Sequence, residues 1–213
     1  MKLGELARKH GTDKLSHGYI NYYDKYFNQL DIKNLLEIGV REGWSLKMWS
    51  EYLPSSNIYG IDNFIDIAVR NVDKEKLISS LETDKIKICV GDQTDEKFLT
   101  EFKDKNLDVI IDDGSHRMHH QQLSFINLFP MLNSGGIYVI EDLHTCNNQN
   151  YWDPNYKNEK WTTLNFLNRL KTGEFDSPHL KDENQINKIV KDIDNIEIHI
   201  NKIAFISKKQ KTT

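Results

Sequence analysis

The sequence contains few cysteines. Only Cys89 and Cys146 occur among its 213 residues. Two cysteines are too few for a zinc site built from paired Cys-x-x-Cys motifs, and a lone disulfide is unusual in a reducing compartment. We therefore expect both thiols to be reduced, and any metal site must use oxygen or imidazole ligands.

Long hydrophobic runs are also absent. Runs such as Leu107 to Ile111 and Ile137 to Ile140 fall far short of the ~20 apolar residues that a bilayer span needs. The N-terminal sequence MKLGELARKHGTDK lacks the apolar stretch of a secretory signal. These absences predict a cytoplasmic chain without a membrane partner.

The chain has no excess of positive charge. It carries 28 Lys and Arg residues against 32 Asp and Glu residues, for a formal net charge of −4. A protein that binds nucleic acid by neutralising phosphates is usually basic, so no nucleic-acid partner is expected. The 213 residues, 38% hydrophobic and 28% charged, fit one globular domain over 1–213.

Short apolar runs alternate with helical patterns along residues 31–146. This alternation is typical of a parallel sheet with helices on both faces. The expected strands are Asn34 to Ile38, Asn57 to Ile61, Ile86 to Val90, Leu107 to Ile111 and Ile137 to Ile140. The expected helices are Trp44 to Leu53, Val72 to Leu81, Thr94 to Phe102 and His116 to Leu132. The sequence thus predicts an α/β domain.

The C-terminal part departs from this alternation. IEIHI and IAFIS are separated by Asn201 and Lys202 alone, which predicts an antiparallel hairpin over residues 195–208. We therefore predict a Rossmann-like, mostly parallel seven-stranded sheet that ends in this hairpin. It differs from the all-parallel, six-stranded dinucleotide-binding fold.

Two further segments accompany the core. Residues 1–30 are predicted to form an N-terminal helical segment. Residues 147–194 form a polar insert that contains WDPNY and a helix around Trp161 to Leu170. A connection of this length is expected to shape a substrate pocket.

Polar residues and glycines follow the first three strands, where an open α/β sheet binds its ligands. In EIGVREGWS, Gly39 and Gly43 let backbone approach a ligand, but the third glycine of G-x-G-x-x-G is missing. Asp62 ends the second strand, where a carboxylate can accept both hydroxyls of a ribose. Asp92 and Gln93 end the third and suit an adenine amine. Together these features predict a nucleoside site.

Acidic residues follow the fourth and fifth strands, in VIIDDGSH and YVIEDLH. Because these strands should be neighbours, Asp113, Glu141 and Asp142 can converge on one point. Like charges at that distance repel, and a hard divalent cation such as Mg²⁺ would satisfy them. The alternative is that Asp113 caps the helix that begins near His116 and the other acids face water.

Histidines lie close to these acids. His116, three residues beyond Asp113, is the best candidate for a general base. His119 and His120 are expected to pack or to face solvent. His144 lies nearer to the acids than His119 and His120 do. Imidazole and carboxylate together also suit zinc or non-haem iron, so such a site stays open, although its spacing signal is weaker.

The motifs EIGVREGWS, GDQTD, VIIDDGSH and YVIEDLH resemble the class I S-adenosylmethionine-dependent methyltransferases. More narrowly, they resemble the metal-dependent sugar O-methyltransferases of the mycinamicin and macrocin type. The resemblance implies that Asp113, Glu141 and Asp142 hold Mg²⁺, and that His116 acts as the base, with Asp113 also counted as catalytic. It places the methionine part of the cofactor at the glycine turn. The expected S-adenosylmethionine-binding residues are Glu37, Gly39, Gly43, Ser45, Asp62, Asp92, Gln93 and Asp112.

The same resemblance implies methylation of a sugar hydroxyl on a polysaccharide or a glycosylated natural-product precursor. Two alternatives stay open: a metal-dependent O-methyltransferase of a catechol-like molecule, and a non-catalytic nucleoside-binding domain. The expected partner is a small-molecule or sugar acceptor, and a homo-oligomer is open. Trp152, Tyr156 and Trp161 either stack on a sugar face or pack internally.

The N-terminal HGTDKLSHGYINYYDKYF resembles the GTDK segment that often precedes the core in such proteins. Its Thr12, Asp13, His17 and Tyr19 either fold over the site or form a helix cap and a packing surface.

Overall fold

A computed structural model describes residues 2–65, 72–180 and 182–210. The chain divides into two compact units, Met1–Asp92 and Gln93–Thr213. The prediction of one domain with four segments stays a prediction. Among the described residues, no helix is long and apolar enough to cross a membrane.

The first unit contains four described helices and three strands. In chain order they are α1 (Leu3–His10), α2 (Ile20–Phe27), β1 (Asn34–Ile38), α3 (Trp44–Tyr52), β2 (Asn57–Asp62), α4 (Lys74–Leu81) and β3 (Ile86–Val90). The strands are parallel in the order β3-β2-β1. This order places the carboxyl ends of β1 and β2 side by side.

The core of the first unit follows from its apolar spacing. Every residue of β1 except the first is buried, as expected of a strand covered on both faces. In α2 and α3, Tyr23, Phe27 and Trp49 pack with ring centroids 5.0 to 5.4 Å apart. Aromatic packing of this kind fixes both helices.

The second unit alternates helices and strands before its C-terminal hairpin. Its elements are α5 (Glu96–Leu99), β4 (Leu107–Asp112), α6 (Met118–Leu128), β5 (Leu132–Ile140), α7 (Thr163–Lys171), α8 (Glu183–Asp192), β6 (Ile193–His199) and β7 (Ile203–Lys208). Short 3₁₀ helices cover Thr100–Phe102, Phe129–Met131, Leu143–Asn147, Gln149–Tyr151 and Glu159–Trp161. The strand order is β4-β5-β7-β6, with β4 and β5 parallel and both pairs that involve β7 antiparallel.

The predicted fold class is confirmed: the strands belong to a seven-stranded, mostly parallel sheet with an antiparallel C-terminal hairpin. The fifth strand, however, begins at Leu132, five residues before its predicted start. Its first half is LNSGG, a composition typical of a turn. Gly136 is needed there because a Cβ would lie 2.8 Å from the Asp108 carbonyl oxygen.

The alternative in which Asp113 caps the helix after β4 is not observed. Helix α6 begins at Met118, its N-cap is Arg117, and no side chain caps it. The reason lies at His116, whose φ of 57° is left-handed, so the helical backbone cannot extend back through this residue. Asp113 is therefore too far from the first turn to cap it.

The insert contains more helix than the sequence indicated. Its predicted helix is present as α7, and α8 was not predicted. Asp182 caps α8 by accepting a hydrogen bond from the Asn184 amide. Lys181 lies outside the described residues.

Candidate active site

The turn between β1 and α3 depends on its glycines. Gly39 and Gly43 have φ values of 94° and 76°, in the left-handed region that favours glycine. A Cβ at Gly43 would overlap the side chain of Leu81. The Gly39 amide donates to the Ile61 carbonyl at 2.8 Å. The turn is thus held tightly against β2.

Asp62, at the end of β2, holds this turn. Its Oδ2 accepts hydrogen bonds from the amides of Val40 at 2.9 Å and Arg41 at 2.8 Å. Its Oδ1 accepts one from the Phe64 amide at 2.6 Å. The structure therefore brings Asp62 together with the glycine turn, as the sequence predicts.

Asp92 lies near the end of the same strand pair. The Nδ2 of Asn63 donates to Asp92 Oδ2 at 3.5 Å, which connects the ends of β2 and β3. Ser45, another predicted cofactor residue, is buried in the first turn of α3.

Glu37, the fourth residue of β1, is fully buried together with Lys14. Lys14 Nζ lies 3.0 Å from Glu37 Oε1, and neither side chain has any exposed surface. Sequence reasoning missed Lys14. The available signal was the charge of Glu37 inside an apolar strand, because a buried carboxylate requires a partner.

Gln93 and Asp112 belong to one buried hydrogen-bond network in the second unit. Gln93 Nε2 donates to Ser124 Oγ at 2.9 Å and to Asp112 Oδ1 at 3.3 Å, and Ser124 Oγ donates to Asp112 Oδ2 at 2.8 Å. The Ser115 amide donates to Gln93 Oε1 at 2.9 Å. Burial raises the pKa of Asp112 above its usual range. The network fixes the loop that carries Asp113.

The predicted acids converge at the ends of β4 and β5. One ligand atom each from Asp113, His116 and Asp142 lies within 4.8 Å of the other two, and carboxylate oxygens of Asp113 and Glu141 lie equally close. His116 Nε2 is 3.5 Å from Asp142 Oδ2, and His144 Nδ1 is 3.8 Å from Asp142 Oδ1. The arrangement can hold a divalent cation.

The backbone at this cluster is unusual. His116 and Asp142 have φ values of 57° and 55°, in the left-handed region that residues other than glycine adopt rarely. Residues held in this conformation cluster at functional sites. The Thr145 hydroxyl donates to the His116 carbonyl at 3.4 Å and to the Asp142 carbonyl at 2.7 Å. Thr145 thus links the two strained residues.

His119 and His120 contact other side chains. His120 Nδ1 is 2.7 Å from Ser115 Oγ, and its ring packs 4.2 Å from that of His119. His179 Nε2 is 3.2 Å from Asp153 Oδ2 in the insert. Burial lowers the pKa of His119, and at His179 burial outweighs the attraction of Asp153 and lowers the pKa as well. These histidines pack, as the sequence predicts for His119 and His120.

The aromatic residues of the insert differ in their surroundings. Trp152 Nε1 donates to the Cys146 carbonyl at 2.7 Å, and Trp161 is covered by Lys160 and Arg169. These contacts indicate packing. The ring of Tyr151 lies 6.4 Å from that of His116. Sequence reasoning missed Tyr151 because the turn before it has no periodic pattern.

Comparisons with known proteins agree with this arrangement. Residues 36–143, about half of the chain, match the family described as methyltransferase domain. The chain is 37% identical over 157 residues to the 8-demethyl-8-(2-methoxy-alpha-L-rhamnosyl)-tetracenomycin-C 3'-O-methyltransferase of Streptomyces olivaceus, covering 68% of this chain and 37% of that protein. It is 36% identical over 165 residues to the mycinamicin VI 2''-O-methyltransferase of Micromonospora griseorubida, and the match covers 70% of this chain and 37% of that protein.

A solved structure resembles nearly the whole chain. The MycE methyltransferase from the mycinamycin biosynthetic pathway, in complex with Mg and SAH, has a TM-score of 0.78 and 29% identity, covering 99% of this chain and 55% of that one. The chain spans 37% of the length of both curated relatives. The resemblance predicted from the motifs is confirmed: the chain belongs to the methyltransferase domain family.

Proposed function

We propose that this protein is an S-adenosylmethionine-dependent and divalent-metal-dependent O-methyltransferase that acts on a sugar hydroxyl. The names of the two curated relatives describe O-methyl transfer on glycosylated compounds, and the MycE structure contains Mg and SAH. The observation that carries the proposal is the cluster of Asp113, His116 and Asp142, with ligand atoms within 4.8 Å of one another.

The donor atoms of this cluster fit a hard divalent cation. Mg²⁺ is held by a few carboxylates and otherwise by water and substrate oxygens. Asp113, Glu141 and Asp142 would supply the carboxylates, and repulsion among them would fall when the cation binds. Glu141 and Asp142 are nearly buried, which reduces screening by water.

The features of the first unit fit a nucleoside with an amino-acid end. The glycine turn, with Gly39, Gly43 and Ser45, would receive the methionine part. Asp62 would bind one ribose hydroxyl rather than both, because its carboxylate offers four lone-pair sites and three backbone amides occupy three of them. Asp92 and Gln93 are proposed for the adenine region, with Glu37 and Asp112 completing the predicted set.

His116 is proposed to remove the proton from the acceptor hydroxyl at Nε2, the nitrogen that faces Asp142. Its side chain is 24% exposed, so an acceptor can reach it. Asp142 stabilises the imidazolium that results, because an opposite charge lies 3.5 Å away. When bound, S-adenosylmethionine supplies the methyl group and Mg²⁺ supplies positive charge that stabilises the developing alkoxide.

The insert is proposed to line the acceptor pocket, with the Tyr151 ring 6.4 Å from that of His116. A sugar ring can stack on such an aromatic face. The protein is expected to act in the cytoplasm on a sugar-bearing small molecule, without nucleic acid, and an oligomer is open. Neither the catechol-like acceptor nor a non-catalytic nucleoside domain gains support from a specific contact.

Metal binding tests the proposal without any acceptor. Mn²⁺, a paramagnetic substitute for Mg²⁺, is titrated into the protein and followed by electron paramagnetic resonance. We expect one site, which Asp113→Asn abolishes. The matched control is Asp108→Asn on β4, the strand that Asp113 follows, because Asp108 accepts a hydrogen bond from Asn133 and lies outside the cluster. Equal Mn²⁺ binding by the wild type and Asp113→Asn would refute the assignment.

A further inference from the structure

Two residues of the acidic cluster, His116 and Asp142, share a backbone conformation that is rare outside glycine. Their φ values are 57° and 55°. Such a conformation persists only where the surrounding contacts hold it in place. The contacts of these two backbones therefore decide whether the cluster keeps its geometry.

Thr145, in the short helix Leu143–Asn147, contacts the backbone of both residues. Its hydroxyl donates to the Asp142 carbonyl at 2.7 Å and lies 3.4 Å from the His116 carbonyl oxygen, so that one proton faces two acceptors. The Thr145 amide also donates to the Asp142 carbonyl, at 3.0 Å. Thr145 is only 7% exposed, and water has little access to these bonds. A buried hydroxyl thus joins the loop after β4 to the loop after β5.

The two residues that Thr145 joins carry both parts of the proposed chemistry. His116 Nε2, the proposed base, is 3.5 Å from Asp142 Oδ2, a proposed metal ligand. The direction of each side chain follows from its backbone, so a rotation at either residue would move the imidazole relative to the carboxylate. Metal ligands and bases have to be held to within a fraction of an ångström. The contact with Thr145 therefore lies where it can set this distance.

A purely local role would account for only one of the two hydroxyl contacts. Threonine hydroxyls often bond to a carbonyl of the preceding turn, and Thr100 does so on the surface, with the Lys97 carbonyl at 2.6 Å. The bond from Thr145 to Asp142 is of this kind. The contact with His116 is different, because it joins residues 29 positions apart in the sequence.

We propose that Thr145 is a positioning residue for the metal and the base: its hydroxyl fixes the left-handed backbones of His116 and Asp142, and with them the distance between imidazole and carboxylate. This inference rests on the proposed function. Groups that orient metal ligands without binding the metal commonly change metal affinity or activity about 10- to 100-fold when they are removed. Thr145 acts in this way through the two carbonyls.

Thr145→Val tests the role of the hydroxyl, because valine keeps the shape of the side chain. We expect its affinity for Mn²⁺, measured by electron paramagnetic resonance, to fall about tenfold or more. Thr145→Ser retains a hydroxyl and should restore the affinity. Binding of S-adenosylhomocysteine, measured by calorimetry, should not change in either variant. The matched control is Thr100→Val, which loses the same local hydrogen bond outside the cluster and should bind Mn²⁺ like the wild type.

The outcomes separate the inference from the proposed function. Thr145→Ala removes the same hydroxyl with less bulk and replaces Thr145→Val if that variant does not fold. Unchanged Mn²⁺ affinity without the hydroxyl, no recovery in Thr145→Ser, or an equal loss of Mn²⁺ and S-adenosylhomocysteine affinity would overturn the inference alone. Failure of the wild type to bind Mn²⁺ would refute the metal-dependent function and this inference together.

Discussion

At the scale of single residues, Asp62 would combine two tasks. Its carboxylate accepts three backbone hydrogen bonds that shape the glycine turn, and it is the proposed ribose ligand. The same charge that orders the turn is therefore available to the cofactor. A change at this residue should affect both the stability of the first unit and the affinity for the nucleoside.

Asp62→Ala tests this double task. Losing a charged acceptor should lower the affinity for S-adenosylhomocysteine about tenfold or more and the free energy of unfolding by about 1 to 3 kcal/mol. Calorimetry and urea denaturation measure the two effects. The control is Asp84→Ala, an exposed residue before β3. Unchanged affinity in folded Asp62→Ala would show that Asp62 does not bind the cofactor.

The residues of the acidic cluster could be predicted because each follows directly from the end of a strand. Lys14 could not, because its contact with Glu37 joins distant parts of the chain and has no local pattern. The alternative of a helix cap at Asp113 could not be excluded from the sequence, since the left-handed backbone at His116 is invisible there. Local spacing thus locates charges and misses long-range pairs and backbone strain.

His116 should be the base rather than His144, although both histidines face Asp142. We expect His116→Asn to lower the methyl-transfer rate by roughly 10² to 10⁴. Asparagine is chosen because it tolerates the left-handed backbone. S-adenosylhomocysteine affinity should not change. The methyl-transfer rate of His144→Asn should stay near that of the wild type. The reverse result would show that His144, not His116, is the base.

At the scale of elements, α6 holds the insert. Gln122 Nε2 donates to the Trp161 carbonyl at 2.7 Å, and the Ser177 hydroxyl donates to Gln122 Oε1 at 3.0 Å. The His179–Asp153 pair lies in the same region. Sequence patterns predicted α7 but not α8, although Ile186, Ile189 and Val190 recur at helical spacing in α8. The hydrogen bonds between α6 and the insert could not be predicted, because they join distant parts of the chain and have no local pattern.

The stability of this region should depend on pH. The pKa values of His119 and His179 are lowered in the folded chain, chiefly by burial, whereas histidines of the unfolded chain titrate near ~6.5. Below that pH the unfolded chain binds more protons, so the free energy of unfolding should fall as the pH decreases from about 7 to 5. Urea denaturation across this range measures the slope.

Substitution should isolate the contribution of the two histidines. In the double variant His119→Gln and His179→Gln, the free energy of unfolding should fall less steeply over the same pH range. His144→Gln serves as the control because His144 is half exposed. A slope in the double variant identical to that of the wild type would mean that neither histidine is coupled to folding.

At the scale of the whole molecule, the alternation of strands and helices was sufficient to predict the fold class and the final hairpin. The motifs at successive strand ends were sufficient to predict the family. The acceptor is not encoded in this way. The proposed acceptor pocket depends on the shape of the insert. The curated relatives are much longer proteins, so their acceptors cannot be transferred by position.

Metal-dependent methyl transfer to a sugar is the central claim, and one assay tests it most directly. Transfer of a labelled methyl group from S-adenosylmethionine is measured with a panel of rhamnosyl and other deoxysugar glycosides, beside catechols, in Mg²⁺ and in EDTA. We expect at least one glycoside to be methylated, EDTA to stop the reaction and added Mg²⁺ to restore it, with Asp113→Asn inactive throughout. Methylation at the same rate in EDTA, or of catechols alone, would contradict the claim.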